Sequence, residues 1–541
     1  MKKKLLKGLS VLLSTVCCAS LFAGCSDNVV SNPQTASVYV YRAGFGSTWL
    51  ENAAKRFNEI YTDEGYTVII EEETVGDPLN NISVPRRNKT DLFFAPQSVV
   101  NKNIDASRSV LGSNDEVLLE DLSGLLNSKA LNANKEEEGE ETILGRMNED
   151  YFKPYLTYTG NLTQWQGKYY AFPWANSPCG LFVNVKALEE ATGSSELPNT
   201  TDDLIGVIES VYQKNQAGQT DIKPVVWAGK DAPGYWSYMF YTLQAQYSGV
   251  KTYNNFFDFI PETGTTVANG YDVYDDPAIL EALKVMEKIV VDDYAPANTT
   301  TADIMAAQAN LYRGDAIFMV SGNWLYNEMV HDYGQYMDDV VMMRMPVISS
   351  LGTKLGIGND DTLSAIVAAI DADEKTDAQI ASEFGVDETD VKEIRTARGI
   401  YFNLAMNFCA VIPSYADGKE VAKLFLRFLA SQEGMEIYRN GTNSDLPFDY
   451  ITEKPASEEP FFESIDAVTQ ASNSVMIDQD LLTSPIRRVA GIQGFCKEGG
   501  DAYVWPKFAS GSLNAQDVYG EQLAWAKENW GFWLRTAGLT S

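Results

Sequence analysis

Short runs of β-branched and aromatic residues alternate along this chain with stretches whose apolar positions recur every three or four residues, a rhythm that predicts α/β architecture. Residues 37–41 predict an opening strand. The turn at 43–47 leads into a helix with Trp49, Leu50, Ala53, Phe57, Ile60 and Tyr61 on one face. Residues 67–71 and 91–94 are the next expected strands, and apolar runs this dense suit parallel strands covered by helices on both faces. The same signal recurs at 169–173, 181–185, 225–228, 316–320, 340–343 and 408–412. Asp276 followed by Pro277 marks a helix start, and Ile279, Leu280, Leu283, Met286 and Val290 form its apolar stripe. Val421, Leu424, Phe425, Phe428 and Leu429 form another after the Asp417-Gly418 turn. Both stripes are core and carry no functional role.

Two segments interrupt the rhythm. Residues 134–141 are an acidic run expected as a solvated loop or helix end. Residues 355–398 are polar and acidic, with faint helical patterning at 378–384 and 391–394, and read as an inserted helical hairpin. No internal repeat of fixed period is visible.

The N-terminus follows different rules. Lys2, Lys3, Lys4 and Lys7 precede an apolar stretch at 9–23 that is too short to span a bilayer, so residues 1–24 are expected to be a signal peptide. The stretch ends Leu21-Phe22-Ala23-Gly24-Cys25, which resembles the lipobox of bacterial lipoproteins and marks Cys25 as the lipidation site, with 25–37 as a polar tether. Removing residues 1–24, which carry four Lys and no acidic group, takes the net charge from −32 to −36. Cys17 and Cys18 leave with the signal. Cys179, Cys409 and Cys496 are too scattered for a disulfide framework and read as small buried hydrophobes.

Composition removes many functions. A chain of 541 residues normally divides into more than one domain. Its 42 Lys and Arg against 74 Asp and Glu oppose nucleic acids and anionic membranes, whose binding draws on clustered cations. The single histidine, His331, excludes HExxH and three-His metal sites. Lys168, Lys230 and Lys419 follow a glycine, but none precedes Ser or Thr, so there is no P-loop. Neither a GxGxxG turn after a strand nor a GxSxG elbow is present, and Asp292-Asp293, Asp338-Asp339 and Asp360-Asp361 lack EF-hand spacing. A paired-carboxylate glycosidase leaves no such compact signature and stays open.

Aromatic placement is more telling. Trp174, Trp227, Tyr235, Trp236 and Trp324 fall at expected strand ends or beside Gly, Pro and Asn, as in Pro173-Trp174-Ala175-Asn176 and Gly322-Asn323-Trp324. Flat rings meet the C–H faces of sugars, and amides meet their hydroxyls. Partial core burial accounts equally well for any single ring; their common placement is what points to a ligand outside the carboxyl ends of the strands.

At this point the sequence resembles the extracellular solute-binding proteins of family 1, the carbohydrate receptors of ABC importers. The resemblance rests on motifs in order: Gly44-Phe45-Gly46, Lys55-Arg56-Phe57-Asn58, Asp91-Leu92-Phe93-Phe94, Gly167-Lys168-Tyr169-Tyr170-Ala171-Phe172-Pro173, Leu181-Phe182-Val183-Asn184, Leu197-Pro198-Asn199-Thr200, Arg313-Gly314-Asp315-Ala316-Ile317-Phe318-Met319 with Gly322-Asn323-Trp324, the run 420–434 and Leu446-Pro447. It implies a periplasmic-binding-protein-like fold, two α/β lobes joined by a hinge with a ligand cleft between them. The first lobe would take 38–173 with 402–445 and the second 178–349 with 446–541, and the 355–398 insertion would cover one rim of the cleft. The implied crossings lie at 174–178, between the strand at 340–345 and one near 401–407, and at 445–447. The implied ligand contacts are Phe45, Gly46, Ser47, Gln97, Trp174, Asn176, Tyr235, Trp236, Asn323, Trp324 and Asp445. Where some relatives stack a ring after the 91–94 strand, this chain has Ala95. The resemblance implies a monomeric, lipid-anchored receptor outside the membrane, without cofactor or metal, that passes an oligosaccharide to ABC permease subunits. The alternatives are a surface-anchored glycoside hydrolase or esterase, and the same fold binding a peptide or another small solute.

Overall fold

The computed structural model describes residues 32–40, 44–71, 78–95, 98–111, 117–147, 168–175, 177–261, 266–404, 408–442, 444, 446, 448–449, 460–470, 473–475 and 504–539. The signal segment, Cys25 and Cys496 therefore lie outside the described residues. The strands are β1 Thr35–Val40, β2 Thr67–Ile70, β3 Leu92–Ala95, β4 Ala130–Leu131, β5 Glu137–Glu138, β6 Phe172–Pro173, β7 Pro178–Asn184, β8 Lys223–Val225, β9 Ala316–Gly322, β10 Val340–Met343, β11 Ile400–Asn403, β12 Cys409–Val411 and β13 Asn473–Val475. They build two main sheets. The first runs β2-β1-β3-β12-β6, and the second β13-β11-β7-β9-β8, with β10 pairing β7.

In the first sheet, β1, β2 and β3 are parallel, with Val38 opposite Ile70 on one side and Leu92 on the other, so their carboxyl ends share one edge. β12 returns antiparallel to β3 and to β6. The amino end of β12 and Pro173 thereby join the same edge. The helix Thr48–Ile60 packs on β2 and on the helix Gln432–Thr442 through the apolar stripe that the sequence predicts, with Trp49, Leu50, Ala53 and Phe57 buried.

The second sheet centres on β7 and β9, buried at every position. Such strands have no solvent face, which explains why they read as continuous apolar runs rather than as alternating ones. The helix Trp236–Ser248 packs across β7, β9 and β11. The helix Pro277–Ile289 lies against it, started by Asp276, whose side chain accepts from the Ala278 N–H, and by Pro277 at its first turn. The C-terminal helix Ala515–Thr536 packs on that helix, and Trp505 Nε1 donates to Ser237 Oγ at 3.1 Å. The helix Pro460–Gln470 covers β10, stacking Phe461 on Phe182 at 5.7 Å.

Four expectations need correction. The acidic run at 134–141 contains β5, which pairs antiparallel with β4 in a small hairpin; exposed carboxylates on one side of a strand give no local sign of the pairing. The insertion is three helices, Asp360–Ala372, Asp377–Phe384 and Glu388–Arg398, packed on one another. The first was obscured because Ala and Asp dilute its Leu363, Ile366, Val367 and Ile370 stripe. The first lobe does not resume at 402: the strand near 401, β11, belongs to the second sheet, where it pairs with β7 and β13, so the chain crosses back only after Asn403. Local pattern cannot part β11 from β12, because both are short apolar runs. Lastly, the expected strand at 169–173 shrinks to Phe172–Pro173.

Cys179 and Cys409 are buried, as small apolar residues would be. No described helix is long and apolar enough to cross a membrane. The insertion is tied down by Arg398, whose side chain is 6% exposed. It donates to Asp371 at 2.7 Å and to the Met345 carbonyl at 3.0 Å, and its helix packs on Trp236–Ser248 in the second lobe. Arg398→Ala would strand Asp371 beside Arg344 alone and is expected to cost about 3 kcal/mol, read as a lowered urea midpoint. An unchanged midpoint would contradict this anchoring.

Candidate functional site

Two chain crossings run side by side between the sheets. One joins β6 to β7 through Trp174 and Ser177, and the other joins β11 to β12 through Leu404 and Phe408. They are hydrogen-bonded to each other. Leu404 N–H donates to the Ser177 carbonyl at 2.8 Å, Trp174 N–H to the Phe408 carbonyl at 3.2 Å, and Ser177 N–H to Asn403 Oδ1 at 3.3 Å. Asn323 N–H donates to the Pro178 carbonyl at 3.1 Å, which fixes the end of β9 to the same hinge.

Aromatic rings cluster around this hinge. Phe45, from the turn after β1, meets Trp174 edge-on at 5.8 Å, Phe408 at 5.5 Å and Trp324 at 6.4 Å. Trp324 belongs to the second lobe, so Phe45 bridges the two. Trp324 also meets Tyr235 at 5.8 Å, Tyr235 meets Tyr238 at 5.1 Å, and Tyr238 stacks on Phe402 at 5.0 Å. A path of rings therefore runs from the first sheet across the cleft to β11. Edge-on pairs of this kind contribute about 0.5–1.5 kcal/mol each beyond their buried area.

Two glycines make the approach possible. A Cβ on Gly322 would strike the six-membered ring of Trp324, and one on Gly44 would lie 2.7 Å from Trp324 Cβ. The Gly-Asn-Trp motif thus has a packing reason: Gly322 leaves the space in which Trp324 folds back toward the hinge. Asn323 Nδ2 donates to Ser444 Oγ at 2.7 Å, and Asn327 Nδ2 to the Thr442 carbonyl, linking the start of the helix Leu325–Tyr333 to the chain that follows the helix Gln432–Thr442.

The expected contact residues separate into three groups. Phe45, Tyr235, Asn323 and Trp324 come together at the lobe boundary. Trp174 and Trp236 are at 0% and 2% exposure and sit inside their lobes. Trp174 stacks on Trp49 at 5.7 Å and touches Phe94, so it forms the floor under Phe45. Gly46 is exposed, and Ser47 donates its hydroxyl to Glu51 at 2.9 Å, at the start of the helix Thr48–Ile60. Gln97, Asn176 and Asp445 fall outside the described residues. Trp227 is buried, with its carbonyl held by Thr299 Oγ1 at 2.9 Å.

Sequence reasoning missed Trp49, Phe408 and Glu328. Trp49 and Phe408 were hidden among core positions. Glu328 stands four residues after Trp324 on the same helix face, a spacing that could have flagged it. Its carboxyl accepts from Gln308 Nε2 at 2.6 Å, and burial pushes its pKa up from the ordinary range. The buried indole N–H groups of Trp49, Trp174 and Trp236 have no hydrogen-bond partner, leaving donor capacity near the hinge. Among the described residues no group of three or more His, Cys, Asp or Glu side chains is placed to hold a metal ion.

The family model described as bacterial extracellular solute-binding protein matches residues 52–448. No curated protein matches the sequence. Among solved structures, the chitin oligosaccharide binding protein matches with a TM-score of 0.58 at 14% identity, covering 92% of this chain and 99% of its own. RafE in complex with raffinose matches at 0.54 and 14%, covering 91% and 98%. The GacH receptor of Streptomyces glaucescens, solved unliganded and with acarbose, matches at 0.53 and 14%, covering 91% and 97%. Likeness at such identities carries the two-lobed fold and nothing finer.

Trp174→Ala is expected to lower stability by about 3–5 kcal/mol, because the rings of Phe45, Trp49, Phe94 and Phe408 would line the cavity left behind. Chemical unfolding measures it, and an unchanged midpoint would place Trp174 outside the core.

Proposed function

Because the chain belongs to the bacterial extracellular solute-binding proteins, we propose that it captures a sugar, most simply an oligosaccharide, between its lobes and hands it to the permease of an ABC importer. The observation that carries this reading is the ring path at the hinge, where Phe45 of one lobe meets Trp324 of the other and Trp324 in turn meets Tyr235. Sugars present C–H faces to such rings. The structural neighbours, a chitin oligosaccharide binding protein and receptors solved with raffinose and with acarbose, support the same ligand class.

The mechanism is binding and closure, with no chemical step. Phe45 and Trp324 are 3% and 6% exposed, so a ring can enter between them only when the lobes part. A solute then favours the closed form by whatever contacts it gains there and nowhere else. Lipidation of Cys25 would hold the lobes outside the membrane, near the permease. With an acidic surface, the lobes would stand off anionic lipid, and the tether would do the holding.

Calorimetry with raffinose, chitin oligosaccharides and acarbose is expected to give saturable heat for at least one sugar, unchanged sugar being recovered afterwards. Trp324→Ala should weaken that binding about tenfold or more, equal to about 1.4 kcal/mol. No heat across the panel, or full affinity without Trp324, would contradict the assignment. Separately, Cys25→Ser should release the protein from membranes into the medium; retention at the membrane would contradict the anchor.

A further inference from the structure

Trp324 and Glu328 form one ridge of the helix Leu325–Tyr333, and this ridge meets the first lobe at Gly44. A Cβ on Gly44 would stand 2.7 Å from Glu328 Oε1, 2.7 Å from Trp324 Cβ and 2.9 Å from Trp324 Cδ1. Real side chains do not approach so closely, so the contact exists only with glycine at 44. It exists only while the lobes touch.

Among the described residues, the side chains behind the ridge are uncharged. Gln308 is fully buried; its Nε2 donates to Glu328 Oε2 at 2.6 Å, and its own Oε1 has no partner. The Tyr312 hydroxyl is buried and unpartnered as well, and burial raises its pKa far above the ordinary value. Tyr326 stands beside Tyr312. Asn327 is turned to Thr442, and His331 faces solvent on Asp332. Among the described residues, the Gln308 amide is the one group that favours the charged form of Glu328, and desolvation outweighs it. A protonated carboxyl would bring the donor that Gln308 Oε1 lacks.

We propose that Glu328 is a positioning residue for lobe closure: in the closed form its carboxyl accepts from Gln308 and seats Trp324 against Gly44, and contact with the first lobe at Gly44 shields it further from water, so that closing the lobes favours uptake of a proton. The proposal rests on the reading of this boundary as a solute cleft, but closure can be followed without any solute. The sign follows from linkage. A carboxyl with a higher pKa in the closed form favours closure below the ordinary value of 4.5, and loses that advantage as pH rises through the raised value.

The test is small-angle scattering of the ligand-free protein between about pH 4.5 and about pH 8. The wild type is expected to expand as pH rises. Glu328→Gln, an amide that can pair with Gln308 in both directions, should stay compact throughout. Gly44→Leu should stay expanded throughout while keeping wild-type helicity and melting temperature, which separates a lobe wedge from a folding defect. In calorimetry, affinity for whichever of raffinose, chitin oligosaccharide or acarbose binds should fall with rising pH in the wild type and stay level in Glu328→Gln. The fall would be about tenfold for each unit of difference between the open and closed forms. A wild-type radius that is flat across the range, or a compact Gly44→Leu, overturns the proposal. Flat scattering with intact sugar binding would sink this inference alone, and pH-dependent scattering without sugar binding would sink the ligand assignment alone.

Discussion

The pairing of two chain crossings is the constraint on which the rest depends. Leu404 bonds to Ser177 and Trp174 to Phe408, which ties the two crossings to each other at both ends. A single crossing would let the lobes swivel freely; two bonded crossings restrict them to bending about one axis. Because β6 ends and β12 begins on one side of the paired crossings, and β7 begins and β11 ends on the other, the strand ends of both sheets face a common cleft. The location of the site follows from this connectivity before any ligand chemistry is considered.

Side chains then decide what the cleft does. Trp174 and Trp49 form a fixed floor, enclosed and stacked, whose rings cannot move without opening the core. Phe45 and Trp324 meet above it from opposite lobes, each on short chain segments beside Gly44 and Gly322. Rigid floor and separable walls are what a receptor needs to close on a solute, since the walls can change partners while the floor keeps its shape. The three-helix insertion packs on the second lobe through Glu388–Arg398, so it travels with that lobe rather than bridging the two.

Much of this was legible in the sequence. The apolar runs at β7, β9 and β10, the Asp276-Pro277 helix start and the stripe of Thr48–Ile60 announced themselves because burial on both faces, or on one helical face, leaves a periodic trace. Trp324 and Tyr235 could be picked out because they break that periodicity at strand ends. Trp174 broke it too, yet lies in the core, since a strand end can point either into a cleft or into the floor beneath it. Glu328 and Gly44 were not legible, because their meeting depends on how two lobes approach, and nothing local to residue 44 encodes residue 328. The β11 boundary was misplaced for the same reason: sheet membership is set by a partner more than 200 residues away, opposite Cys179.

The central claim is that a solute is held between Phe45 and Trp324 above an unmoved Trp174. A crystal structure of the protein grown with the sugar that gives heat in calorimetry tests it most directly. The account predicts a sugar ring lying against Trp324 at the lobe boundary, with the Trp49–Trp174 stack unchanged beneath it. Sugar bound away from that boundary, or a Trp174 ring swung out to meet it, would contradict the account.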